Sequence, residues 1–96
     1  MELKLPKAQD LSRIWQDSFL GHTGFFIPGE REFTLGREMD LVLYVEGEHW
    51  GSLRMVPVWA NIYGPASQDQ PRGTFLKLLS CPPELEASIR ENYSGT

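Results

Sequence analysis

Apolar and polar residues alternate along this 96-residue chain in short runs, each closed by glycine or proline. Met1 to Leu5 alternates, with Leu3 and Leu5 on one side, and predicts a short first strand. Leu11, Ile14, Trp15 and Phe19 fall at i, i+3, i+4 and i+8, with Asp10 ahead of them as a cap. That spacing predicts a short helix from about Ala8 to Ser18, with a strand as the alternative. Gly24 to Pro28 is a brief aromatic strand stopped by Pro28-Gly29, and Arg31 to Thr34 extends toward a turn at Gly36. Asp40 to Glu46 encloses Leu-Val-Leu-Tyr-Val, the clearest strand in the chain, and Glu46 to His49 reads as a hairpin connection.

Trp50 to Tyr63 forms a long second arm. Leu53, Met55, Pro57 and Trp59 fall on one face, and Arg54, Val56, Val58 and Ala60 on the other. Pro57 has no N–H to donate, so the strand either lies on an edge there or carries a bulge. Tyr63 to Arg72 is polar and rich in proline and glutamine, an exposed loop. Gly73 to Leu79 is a further strand. Pro82-Pro83-Glu84 then opens a helix whose stripe is Leu85, Ile89 and Tyr93, with Glu84 and Glu86 in its first turn, where the helix dipole favours negative charge. The fold expected is mainly β: one domain over 1–96, a small antiparallel β-barrel of about six strands with a short N-terminal helix and a C-terminal helix.

Composition narrows the function classes. Apolar residues make up 41% and charged residues 23%, which is globular rather than disordered. The net charge is −4 and the basic residues are scattered, so no run tracks a phosphate backbone and duplex nucleic acid is not the expected partner. A single cysteine, Cys81, excludes an internal disulfide. With His22 and His49 far apart, no zinc spacing is present. No signal segment or apolar run near ~20 residues is visible, so a cytoplasmic location without membrane insertion is expected.

Three segments, taken in order, carry a family resemblance. The first is Gly24-Phe25-Phe26-Ile27-Pro28, followed by Leu35-Gly36. The second is the strand Leu41 to Val45. The third is Met55-Val56-Pro57-Val58-Trp59 and, after a loop, Arg72-Gly73-Thr74-Phe75-Leu76-Lys77-Leu78. Together, over roughly Leu3 to Tyr93, they resemble the PilZ domain, and within it the short single-domain proteins of type IV pilus systems. The usual PilZ domain binds cyclic di-GMP through Arg-x-x-x-Arg and [Asp/Asn]-x-Ser-x-x-Gly, two arginines gripping phosphates and guanine edges. Here the pattern departs. With Gly24 as the motif glycine, Gly21 stands at the Ser position and Phe19 at the Asp/Asn position. Only Arg13 precedes them, and Asp17 and Ser18 are out of register. Each lost charged bond is worth ~1.5–3 kcal/mol, so tight cyclic di-GMP binding is not expected. The pilus-type relatives show the same departure, and the resemblance implies a cofactor-free adaptor. Its partner would be a protein, a pilus-assembly ATPase or a cyclic di-GMP signalling protein.

The residues expected at a partner surface are Trp15, Phe25 or Phe26, Trp50 and Tyr63, since tryptophan and tyrosine dominate interface energetics. Of the tryptophans, Trp59 is expected in the core, Trp15 half-buried and Trp50 exposed at the hairpin tip. The alternative function, a degenerate receptor for cyclic di-GMP or a related nucleotide, needs Arg13, Arg31, Arg37 and Arg72 to converge. An enzyme is not expected. Asp17, Ser18 and His22 lie together in sequence, but no nucleophile elbow surrounds Ser18. The carboxylate pairs Glu30/Glu32, Glu38/Asp40 and Glu46/Glu48 lack further oxygen ligands for a metal and read as solvated faces or turns. No phosphate-binding glycine loop is present.

Overall fold

Each strand of the structure turns one set of alternate residues toward a shared apolar layer. The computed structural model describes residues 1–19, 21–29, 32–61 and 72–93. Its strands are β1 (Glu2–Leu5), β2 (Trp15–Phe19), β3 (His22–Pro28), β4 (Met39–Val45), β5 (Glu48–Asn61) and β6 (Gly73–Ser80). A 3-10 turn (Ala8–Asp10) and a short helix α1 (Leu11–Ile14) precede β2, and α2 (Pro83–Tyr93) follows β6. The strands make one six-stranded sheet in the order β1-β4-β5-β6-β3-β2.

The apolar layer lies on one face of that sheet. Leu41, Leu43 and Val45 of β4, Leu53 and Met55 of β5, Leu76 of β6, and Phe25 and Ile27 of β3 all point into it. Leu11, Ile14, Leu85 and Ile89 close it from the helical side. Burying each such side chain stabilises the fold by roughly 1.5–3 kcal/mol.

Four sequence expectations need correction. The sheet is mixed: β1 runs parallel to β4, with Glu2 beside Val42 and Leu5 beside Val45. Among the described residues no ladder joins β1 to β2, so the sheet has two edges and a closed barrel is not shown. The cause is local. After β1 the chain turns at Pro6 into the 3-10 turn and α1, which pack on the core, so β2 does not return as the hairpin partner of β1.

The expected helix from Ala8 to Ser18 is also shorter. Trp15 leaves α1 with extended backbone (φ −73, ψ 129) and pairs with Phe25 across β2 and β3. A ladder and a buried aromatic contact outweigh the helical spacing of Trp15 and Phe19. Asp10 does not cap α1; its carboxylate accepts the N–H of Lys7 at 3.1 Å. Residues 32–34 form no strand, although the turn expected at Gly36 is there, with Arg37 N–H donating to Thr34 O at 3.2 Å.

The β4–β5 hairpin closes through Glu46 and Gly47, both at positive φ (53 and 82), the twist a two-residue hairpin turn requires. Two bulges then shape β5. Between Leu43 and Tyr44 the register skips Trp50 and re-aims it from the hairpin tip toward the core. Between Pro57 and Trp59 the register skips Val58, and Pro57 lies past Met55, the last β5 residue paired with β4, so its missing N–H breaks no ladder on that side. Pro57 O accepts the Gly36 N–H at 2.8 Å and so ties the β3–β4 connection to β5.

Strand β3 approaches β6 closely at Gly24, where a Cβ would lie 1.9 Å from the carbonyl oxygen of Leu76. Gly24→Ala is therefore expected to destabilise the fold by at least ~2 kcal/mol through overpacking, read as a lower urea midpoint in equilibrium unfolding.

Candidate interaction surface

The second bulge of β5 decides what the other face of the sheet carries. Leu53, Met55 and Pro57 point into the core, but past Val58 the alternation is reset and Trp59 stands opposite Phe75. Phe75 in turn stands opposite Phe26. Phe26, Phe75 and Trp59 therefore form a row across β3, β6 and β5 on the face away from the helices.

Phe19 arrives from β2, whose register shifts between Gln16 and Phe19. Its ring stacks on Phe75 at 4.5 Å and meets Trp59 edge-on at 5.3 Å. Phe26 lies 6.1 Å from Phe19 and 6.2 Å from Trp59. Phe75 is fully buried beneath these rings, whereas Phe19, Phe26 and Trp59 are half-buried. Gly73 makes room for the cluster, since a Cβ there would sit 2.6 Å from the Phe26 ring. Val58 beside Trp59 is 38% exposed. Aromatic pairs in such geometry contribute ~0.5–1.5 kcal/mol each beyond their buried area.

The residues expected at a partner surface are thus redistributed. Trp15 is 1% exposed and Phe25 fully buried, their rings packed edge to face at 5.4 Å, so neither can meet a partner. Trp15 was expected half-buried. It is covered because its Nε1–H donates to Asp17 Oδ1 at 3.1 Å while the Arg90 guanidinium lies 5.6 Å from its ring centre. Arg90 also donates to Asp17 at 3.3 Å and pins α2 to β2. Trp50, expected exposed, packs half-buried against the core at an open pocket with Ala8, Val45, Glu46 and Glu48. Trp59, expected in the main core, lies on the opposite face. Tyr63 lies outside the described residues. Of the described members of the expected set, only Phe26 belongs to the aromatic face. Phe19, Phe75 and Trp59 were missed, and the one sequence signal for the last was the proline two residues before it.

Three of the four arginines of the receptor alternative lie among the described residues. Arg13 is exposed on α1, 3.7 Å from Asp10. Arg37 is exposed after the Gly36 turn. Arg72 precedes β6, its carbonyl accepting the Gly29 N–H at 3.1 Å. Arg31 lies outside the described residues. Arg13 thus lies on α1, Arg37 in the β3–β4 connection and Arg72 just before β6.

Glu38 and Asp40 share Arg54, at 3.3 and 3.0 Å. Asp40, then Glu38, hold the Arg54 guanidinium charged above its ordinary range through these hydrogen bonds. Both pairs are solvent-exposed and contribute little to stability. Glu46 accepts the Ala8 N–H at 2.9 Å. Among the described residues no group of three or more His, Cys, Asp or Glu comes together to hold a metal, and no helix is long and apolar enough to cross a membrane. No family model matches this chain, and no curated protein matches it.

Cys81 is half-buried, its thiol donating to Pro82 O at 3.5 Å. Burial, helped by Glu86, pushes the thiol up from 9.0 to about 11. At pH 8 it is expected to react with a thiol reagent about 100-fold more slowly than in the unfolded chain, because each pKa unit removes a tenfold share of thiolate. The shift favours the protonated folded state. Its stabilisation is present below 9.0 and is lost as pH rises through about 11.

The two tryptophans on opposite faces are expected to separate in stability. Trp15→Ala should cost about 3–5 kcal/mol, as for a fully buried aromatic, and Trp59→Ala roughly half of that or less, both read from urea denaturation.

Proposed function

We propose that this chain is a PilZ-like, non-catalytic adaptor of bacterial type IV pilus assembly or surface motility, working in the cytoplasm by binding a protein partner. The observation that carries the reading is the aromatic face: Phe19, Phe26 and Trp59, half-buried around a fully buried Phe75, with Val58 exposed beside them. Large aromatic rings on a rigid sheet lose little conformational freedom when a partner covers them, and tryptophan is prominent among interface hot spots. The ordered motifs from Gly24 to Leu78 support the family side of the proposal. The departure from Arg-x-x-x-Arg and [Asp/Asn]-x-Ser-x-x-Gly supports an adaptor over a nucleotide receptor. Candidate partners are a pilus-assembly ATPase and a cyclic di-GMP signalling protein.

Calorimetric titration with cyclic di-GMP is expected to give no heat at high micromolar ligand, and saturable sub-micromolar binding would replace the adaptor with a receptor. In a pairwise binding assay against a pilus-assembly ATPase and a cyclic di-GMP signalling protein, Trp59→Ala is expected to weaken capture at least ~10-fold, the loss of a tryptophan hot spot. Equal capture by Trp59→Ala and the parent chain would remove the aromatic face as the docking surface.

A further inference from the structure

The two edges of the sheet are unlike. The edge at β2 is broken by the register shift between Gln16 and Phe19, a device that stops another strand from adding there. The edge at β1 is regular. Met1 O accepts from Val42 N at 2.8 Å and Leu5 O from Glu46 N at 2.9 Å, so the odd-numbered residues of β1 face β4. By the alternation of a parallel ladder, the backbone N–H and C=O of Glu2 and Lys4 face outward. Nothing among the described residues pairs with them.

We propose that β1 is a self-association edge: a second copy of this chain adds its own β1 antiparallel, about a two-fold axis through Leu3. In that register Glu2 lies opposite the partner's Lys4, and Lys4 opposite the partner's Glu2. Each of these is a hydrogen-bonded pair exchanging N–H and C=O in both directions, so every outward group of Glu2 and Lys4 is used. The side chains are self-complementary as well. Glu2 and Lys4 share one face, 3.9 Å apart and largely exposed, with Lys4 5.8 Å from the Tyr44 ring centre. Across the axis each meets its opposite charge, an arrangement that stabilises cross-strand pairs.

The neighbouring registers are excluded by the same residues. A shift in one direction sets Glu2 against the partner's Glu2. A shift in the other sets Lys4 against the partner's Lys4 and Glu2 against the partner's Pro6, which has no N–H to give. On the opposite face Leu3, half-buried at the rim of the core, meets the partner's Leu3. The short contact makes this a weak, isologous dimer. The proposal does not depend on the adaptor reading, because it uses an edge and not the aromatic face.

Sedimentation velocity over a concentration series tests it. The full chain is expected to shift from monomer toward dimer as concentration rises toward the millimolar range. Either Lys4→Glu or Glu2→Lys is expected to weaken the association about tenfold, and the double swap Glu2→Lys/Lys4→Glu to restore it. These positions are exposed, so the variants keep the fold, which circular dichroism verifies. In a Cys81→Ser background, Leu3→Cys is expected to oxidise to a covalent dimer, since a non-hydrogen-bonded antiparallel pair brings Cα atoms to about 4.5 Å, within disulfide reach. A chain that stays monomeric throughout, or a dimer indifferent to both charge reversals, overturns the proposal.

Discussion

A six-stranded sheet has two faces to cover, and the helices among the described residues cover one. α1 contributes a single turn and α2 three, and the apolar residues of both, Leu11, Ile14, Leu85 and Ile89, close the same layer. Among the described residues, the opposite face is covered by its own side chains. It does so with rings: Phe75 is buried by Phe19, Phe26 and Trp59 and not by a second layer of secondary structure. Aromatic side chains suit this task because each shields a large area with few rotatable bonds. Their outer surfaces are left half-wet as a result. The same shortage of helix that limits the core therefore leaves the aromatic surface proposed for partner binding.

Strand β5 makes this arrangement possible. Its first half pairs with β4 and its second half with β6, and each half carries a bulge. One bulge sends Trp50 inward and the other sends Trp59 outward. A single extra residue reverses which face the following side chains occupy. The two tryptophans have thus exchanged the roles that strict alternation assigns them.

That exchange marks the limit of what the sequence discloses. The strands of the β4–β5 hairpin, β3 and β6 are legible because their apolar residues alternate between turn-forming glycines and prolines, and α2 is legible from its spacing and its opening prolines. Pro57 announces an irregularity without saying which way the chain recovers. Trp15 and Phe19 satisfy a helical period and a strand equally well, and only the ladder with β3 decides between them. The parallel partnership of β1 has no local signature, since it depends on where the chain travels after Pro6. The candidate surface was harder to read than the fold for the same reason: Phe25 and Phe26 are adjacent and chemically alike, and burial separates them only once the register is known.

The parallel seating of β1 also bears on the order in which the molecule assembles. β4 and β5 are joined by a two-residue turn and can zip together locally, whereas Glu2 has to find Val42 after α1, β2 and β3 have intervened. Closing that long loop is entropically costly, and non-local pairings of this kind form late. A short strand held by one neighbour is also among the first elements to open in the native state. The N-terminal strand is thus the seam of the fold, sewn last and loosened first, and a second molecule seated along it would fasten the least secure part of each.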